Sequence, residues 1–172
     1  LIVLRHTLEH ISKPFHFLQM LQLINGGEGH IYIEVPCLDW IRDNNAFQDV
    51  AYEHVNYFSL ASLRRMFGDK YLESGNNFGG QYLYIIADLK DLCQGFLDTW
   101  NDQSKWEYWT LNQLLPQFEK TLKEIERKII DKRNAYMWSG AGKAGTFLFH
   151  CSNQWPEIME KLQYAVDINP MK

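Results

Sequence analysis

The chain has 172 residues, of which 46% are hydrophobic and 22% charged, and its formal net charge is −4 at pH 7. This composition is typical of a folded globular protein and excludes wholesale disorder, and the net charge argues against a generally basic nucleic-acid-binding surface while leaving a local basic patch open. Three widely spaced cysteines argue against a disulfide framework, and the sequence contains neither an apolar run long enough to span a membrane nor a signal peptide. We therefore expect a cytoplasmic protein with reduced thiols.

The first ninety residues predict half of an α/β sheet. A buried parallel strand at 1–4, a helix ended by Gly26 and Gly27, and a strand at 30–36 give a strand–helix–strand crossover. The weakly periodic stretch at 37–57 is predicted to be a long loop that can include a short helix, after the carboxyl end of that strand. Ligands bind at this end of open α/β sheets.

Serine and glycine residues mark the next boundaries. Ser12 is predicted to cap the first helix, and Ser59 to cap a short helix at 59–67. Gly79 and Gly80 are predicted to form the turn of a closing pair of strands.

Beyond residue 90 the pattern changes. A connector at 91–133 contains a long amphipathic helix that Pro116 starts or kinks, and 134–172 has the strand–glycine–helix–strand order that begins a Rossmann-like domain. The chain opens on an apolar run without a methionine and closes just after a predicted strand, so we expect a fragment.

A glycine motif at Gly140, Gly142 and Gly145 follows a predicted strand and opens a helix, with Asp167 about twenty residues further on. Such a turn brings backbone N–H groups close to a phosphate, to which Lys143 could add a positive charge. The motif indicates either a dinucleotide site or an ordinary structural turn.

A second motif lies in the predicted ligand loop, where His54 stands among Tyr52, Glu53 and Tyr57. Histidine is suited to proton abstraction near neutral pH, and a carboxylate or a phenol can orient it. The alternative interpretation is that the aromatic residues belong to the core and that His54 is a polar neighbour.

His6, Glu9 and His10 suggest a metal site just after the first strand. Arg5 repels a cation, however, and the segment is a strand exit rather than a helix that would bring His6 and His10 together. We therefore predict no metal site from the sequence.

Five segments, in order along nearly the whole chain, resemble S-adenosylmethionine-dependent sugar C-methyltransferases. They are RHTLEH at 5–10, IYIEVP at 31–36, YEHVNYF at 52–58, WSGAGKAG at 138–145 and AVDINP at 165–170. The family has a zinc-binding domain, a class I methyltransferase domain and a C-terminal Rossmann-like domain.

The resemblance implies that 1–90 is the second half of the methyltransferase domain and that 134–172 begins the C-terminal domain. It also implies that the zinc cysteines and the glycine loop for the methyl donor lie upstream of Leu1. The chain alone is then not expected to be active.

The resemblance implies methyl transfer from S-adenosylmethionine to a carbon of a nucleotide-linked keto-sugar, through an enolate made by a base. His54 matches that base and Glu53 its neighbouring carboxylate, while Arg5 and His6 border the methionine end of the donor. Tyr57 is expected beside the sugar.

Tyr52 is also expected to bind substrate, although Ala51 occupies the position that holds a tyrosine in some members, so the family's tyrosine role does not carry over directly. Gly140, Gly142 and Lys143 are expected near the nucleotide phosphates. Two alternatives remain open at this point: an NAD-dependent oxidoreductase or epimerase, which the glycine motif and Asp167 favour, and a non-catalytic sugar-nucleotide-binding module. None of these three hypotheses involves nucleic acid or a membrane as a partner.

Overall fold

The computed structural model describes residues 1–51, 53–96, 110–138 and 142–167. The chain divides into two compact units. Unit 1 comprises Leu1–Asp43 and Glu53–Trp109, and unit 2 comprises Asn44–Tyr52 and Thr110–Lys172. The predicted boundaries after residues 90 and 133 stay a prediction.

Unit 1 contains a mixed four-stranded sheet, which confirms the predicted α/β class. Its strands are β1 (Ile2–Arg5), β2 (His30–Pro36), β3 (Glu73–Asn77) and β4 (Tyr82–Asp88), in the order β1-β2-β4-β3. β1 is parallel to β2, as predicted, whereas β4 runs antiparallel to both β2 and β3.

The core of unit 1 lies on one face of this sheet. Alternate side chains of β2 and β4 are fully or almost fully buried there, namely Ile31, Ile33, Val35, Leu83, Ile85 and Ala87. The period of two sends the intervening side chains, Tyr32, Glu34 and Tyr84 among them, to the opposite face.

The prediction that the first strand is buried is wrong. β1 is an edge strand, and its burial alternates along the chain so that Val3 is 55% exposed. A short apolar run does not by itself distinguish a central strand from an edge strand, because that difference depends on which other strands pair with it.

The helices of unit 1 include α1 (Pro14–Ile24), α2 (Leu38–Asp43) and α3 (Leu60–Arg65). Ser59 caps α3 as predicted, since its Oγ accepts from the Ser62 backbone N–H in a capping box. The predicted Ser12 cap is wrong because the residue before α1 is Lys13, which makes no side-chain cap. Pro14 starts that helix, as its fixed φ allows.

Unit 2 contains a two-stranded parallel sheet of β5 (Ala135–Trp138) and β6 (Leu162–Val166). Its helices are α4 (Leu111–Leu114), α5 (Phe118–Ile130), α6 (Lys143–Gln154) and α7 (Pro156–Lys161). Pro116 separates α4 from α5, which confirms the predicted break in the long helix. The short helix α7 was not predicted.

Across the described ranges, the structure contains no helix with both the length and the apolar character needed to cross a membrane.

Candidate functional site

The loop that carries His54 is fixed to the turn that follows β1. The backbone N–H groups of Val55 and Asn56 both donate to the Glu9 carbonyl oxygen, at 2.9 and 3.1 Å. Asn56, only 8% exposed, also donates its side-chain N–H to the Ile11 carbonyl at 2.6 Å. Two segments about 45 residues apart in sequence are thereby held together at the carboxyl end of β1.

His10 stands beside His54 in this arrangement. The His10 Nδ1 lies 2.9 Å from the Glu53 carbonyl oxygen, and because that oxygen only accepts, Nδ1 must carry the proton. The His10 ring meets the half-buried His54 ring edge-on at 5.0 Å, and the His54 ring lies 6.0 Å from Tyr57. Glu53 therefore contributes its backbone to the cluster while the residue as a whole is exposed.

A buried carboxylate lies next to these histidines. Glu9 is 1% exposed, and within the described part of the chain neither of its carboxylate oxygens has a hydrogen-bond partner. His6 Nδ1 and His10 Nε2 lie 3.6 and 3.9 Å from the same oxygen, Oε1, which is within ion-pair range but too long for a hydrogen bond. Buried polar groups are normally hydrogen-bonded, so this carboxylate is an exception that calls for a physical reason.

A second buried carboxylate, Glu34, is fully hydrogen-bonded. Arg5 Nε donates to its Oε1 at 2.9 Å, and the Tyr32 hydroxyl and Asn77 Nδ2 donate to its Oε2 at 2.8 and 3.2 Å. His6 Nε2 lies 3.7 Å from Oε1. The predicted cofactor residues Arg5 and His6 therefore both face Glu34.

Arg5, Tyr32 and Glu34 all have shifted pKa values, and the hydrogen bond to Glu34 and the charge of Glu34 raise the pKa of Arg5. Burial alone would raise the pKa of Glu34, but the hydrogen bonds from Tyr32, Arg5 and Asn77 outweigh it and hold that pKa below its ordinary value. Burial, together with the hydrogen bond donated to Glu34, raises the pKa of Tyr32 to about 12. The network is thus stable with an ionised Glu34 and a neutral Tyr32 over a wide pH range.

Sequence reasoning did not identify Glu34 as part of a site. The available signal was a glutamate within the otherwise apolar and aromatic strand at 30–36, together with an arginine at the end of the neighbouring strand. The register of β1 and β2 places Arg5 opposite Glu34, and that register is not readable from either segment alone.

The glycine motif belongs to unit 2, where Gly142 precedes α6 with φ 57. A cavity of about 610 Å³ adjoins this turn, and its lining includes Trp138, Lys143 and Phe147. The Lys143 ammonium lies 2.6 Å from a carboxylate oxygen of Asp49, which is 5% exposed. Tyr52 and Gly140, which were also predicted to bind substrate, lie outside the described residues.

The comparison with known families addresses the part of unit 1 that holds the histidine cluster. Residues 1–71 match the family model described as a methyltransferase domain. The match contains Arg5, His6, Glu34 and His54, and it supports an enzyme that transfers methyl groups. No curated protein matches the chain.

Methyltransferase domains generally use S-adenosylmethionine, whose methionine part carries a carboxylate. The Arg5 side chain is 54% exposed although its Nε is fixed by the buried Glu34. A guanidinium held at its base and exposed at its tip suits a carboxylate such as that of the methionine moiety. Arg5, at the end of β1, therefore fits the methionine part of S-adenosylmethionine.

Proposed function

We propose that this methyltransferase domain transfers a methyl group from S-adenosylmethionine to a carbon of a nucleotide-linked keto-sugar, with His54 as the base. The observation that carries the proposal is the pair of backbone hydrogen bonds to Glu9, which fixes the His54 loop at the carboxyl end of β1. Arg5, which fits the methyl donor, ends that same strand.

The chemistry explains why a histidine is suitable here. A carbon next to a carbonyl is acidic enough for a positioned base to remove its proton, and imidazole is poised for that task near neutral pH. The resulting enolate is the nucleophile, and S-adenosylmethionine supplies an electrophilic methyl group. His54 takes the proton at a ring nitrogen, and the half-buried position of the ring limits competition from water.

The neighbours of His54 support a substrate-positioning role for this loop. Tyr57 presents its ring to His54 at 6.0 Å and is proposed to contact the sugar. The exposed residue Glu53 directly precedes His54 and is proposed to bind a second part of the substrate. Arg5 and His6 are proposed to border the methionine end of the donor.

The nucleotide part of the substrate is proposed to bind at the glycine motif. Gly142 opens α6, a helix of twelve residues whose first N–H groups favour an anion. Lys143 is the adjacent cation, and its charge is matched by Asp49 in the described structure. A phosphate would therefore have to share Lys143 with Asp49, so we expect the backbone N–H groups to contribute most of the binding.

The test is methyl transfer from labelled S-adenosylmethionine to a nucleotide-linked keto-sugar by the intact protein. His54→Asn is expected to abolish transfer while donor binding persists, and His16→Asn, an exposed histidine on α1, is the matched control. Normal turnover by His54→Asn would refute the assignment of the base. Binding of NAD in place of S-adenosylmethionine would favour the oxidoreductase alternative.

A further inference from the structure

The geometry points to a second property of the same cluster: we infer that Glu9, His10 and His54 form a binding site for a divalent transition-metal ion such as Zn²⁺. One ligand atom from each of the three residues lies within 4.8 Å of the other two. A carboxylate oxygen and two imidazole nitrogens form a donor set that Zn²⁺ prefers.

The protonation of His10 supports a cation between it and Glu9. Since Nδ1 of His10 donates to the Glu53 carbonyl, the lone pair of the neutral ring is on Nε2. That Nε2 lies 3.9 Å from Glu9 Oε1, so two electron-rich atoms face each other across a gap. Metal-binding histidines commonly donate their other N–H to a backbone carbonyl, as His10 does.

The buried carboxylate of Glu9 is the second observation. At 1% exposed and with neither oxygen hydrogen-bonded in the described structure, the carboxyl group is held away from water. A buried carboxyl group without hydrogen bonds is costly, and a bound cation would offset that cost. His6 Nδ1, at 3.6 Å from Oε1, is the nearest competing positive group when protonated.

The distances allow a metal with only small side-chain movements. Ligand atoms around a tetrahedral Zn²⁺ lie about 3.3–3.6 Å apart, given bonds of about 2.0–2.2 Å. The cluster must therefore contract by roughly an ångström. Arg5, whose charge argued against a cation in the sequence, is paired with Glu34 at 2.9 Å.

A metal here would regulate the reaction, and this part of the inference rests on the proposed function. A neutral imidazole has one unprotonated ring nitrogen, so His54 cannot ligate a metal and accept a substrate proton with it at the same time. Zn²⁺ is therefore expected to inhibit methyl transfer in competition with the keto-sugar, and a chelator to restore it.

The binding experiment is a titration of the metal-free intact protein with Zn²⁺ by calorimetry, and with Co²⁺ by visible absorption. Besides any zinc held by the cysteines expected upstream of Leu1, we expect one strong site that is weakened at least tenfold by Glu9→Gln and by His10→Ala and is unchanged by His16→Ala. Glu9→Gln is a mild change because the carboxylate makes no hydrogen bond in the described structure. Equal affinity of the wild type and both site variants would overturn the metal site.

The activity experiment separates the two proposals. Binding that needs Glu9 and His10, together with inhibition by Zn²⁺ that a chelator reverses, supports the whole inference. The same binding in a protein that methylates no keto-sugar when this site is empty refutes the proposed function and leaves the metal site standing. Methyl transfer that is indifferent to Zn²⁺, in a protein without the strong site, refutes the metal site alone.

Discussion

Replacing Glu34 with glutamine tests the hydrogen-bond network at the end of β1. The carboxylate is 2% exposed and accepts from Arg5, Tyr32 and Asn77. An amide of the same shape keeps one acceptor oxygen and turns an N–H₂ group toward groups that themselves donate. Tyr32 can rotate its hydroxyl to accept, but Asn77 then loses its bond to residue 34 and keeps only the one to the Tyr32 hydroxyl at 3.3 Å.

The expected loss in the free energy of unfolding follows from those contacts. Hydrogen bonds to a charged group contribute about 1.5–3 kcal/mol each and do not add fully, so we expect Glu34→Gln to cost about 2–4 kcal/mol at pH 7. Urea unfolding of the intact protein, followed by tryptophan fluorescence, measures this difference.

The stabilisation that Glu34 contributes should decrease at acid pH, and the same unfolding measurement can follow it. The folded-state pKa of Glu34 lies below its unfolded value, so its stabilisation is complete above about pH 4.5 and is lost as the pH falls through the folded-state pKa. The difference between wild type and Glu34→Gln should therefore shrink in acid.

Glu73→Gln is the control, because Glu73 accepts from Tyr84 at 2.6 Å on the same sheet but is exposed. Equal losses for the Glu34 and Glu73 variants would refute the reasoning.

Three further predictions concern other parts of the chain. Tyr32 has a pKa of about 12, above its ordinary 10.0, so its contribution to the free energy of unfolding is complete below pH 10 and is lost as the pH rises through 12. In unfolding titrations, Tyr32→Phe should therefore lose up to about 2–3 kcal/mol less stability at alkaline pH than the wild type does. An equal alkaline loss in both proteins would contradict the raised pKa. Ser59→Ala should cost about 1 kcal/mol of stability through loss of the capping box, whereas Ser12→Ala should cost nothing measurable; equal effects would contradict the cap assignment. Cys151 is fully buried and burial raises its pKa to about 11, so alkylation followed by mass spectrometry should label the half-buried Cys93 first, and the reverse order would contradict this.

The sequence predicted best those features whose causes are local. Gly26 has φ 78 and ends α1, Pro116 interrupts the long helix, and Ser59 caps α3, because each effect depends on the chemistry of one or two residues. The prediction that Ser12 caps α1 was wrong although capping is also a local effect. Pro14 starts the helix, so Ser12 lies one residue too early to cap it.

The candidate site depended on contacts that no local pattern encodes. The pairing of Arg5 with Glu34 follows from the register between β1 and β2, and the approach of His54 to Glu9 follows from backbone hydrogen bonds between distant segments. The sequence therefore pointed to His54 and His10 in separate motifs, while their proximity required the fold.

The most direct test of the central claim is proton exchange at the carbon beside the carbonyl of a nucleotide-linked keto-sugar. In D₂O and without S-adenosylmethionine, the intact protein should exchange that proton for deuterium, because His54 removes it before methyl transfer. His54→Asn should abolish the exchange and His16→Asn should not. Exchange at the wild-type rate in His54→Asn would contradict the claim that His54 is the base.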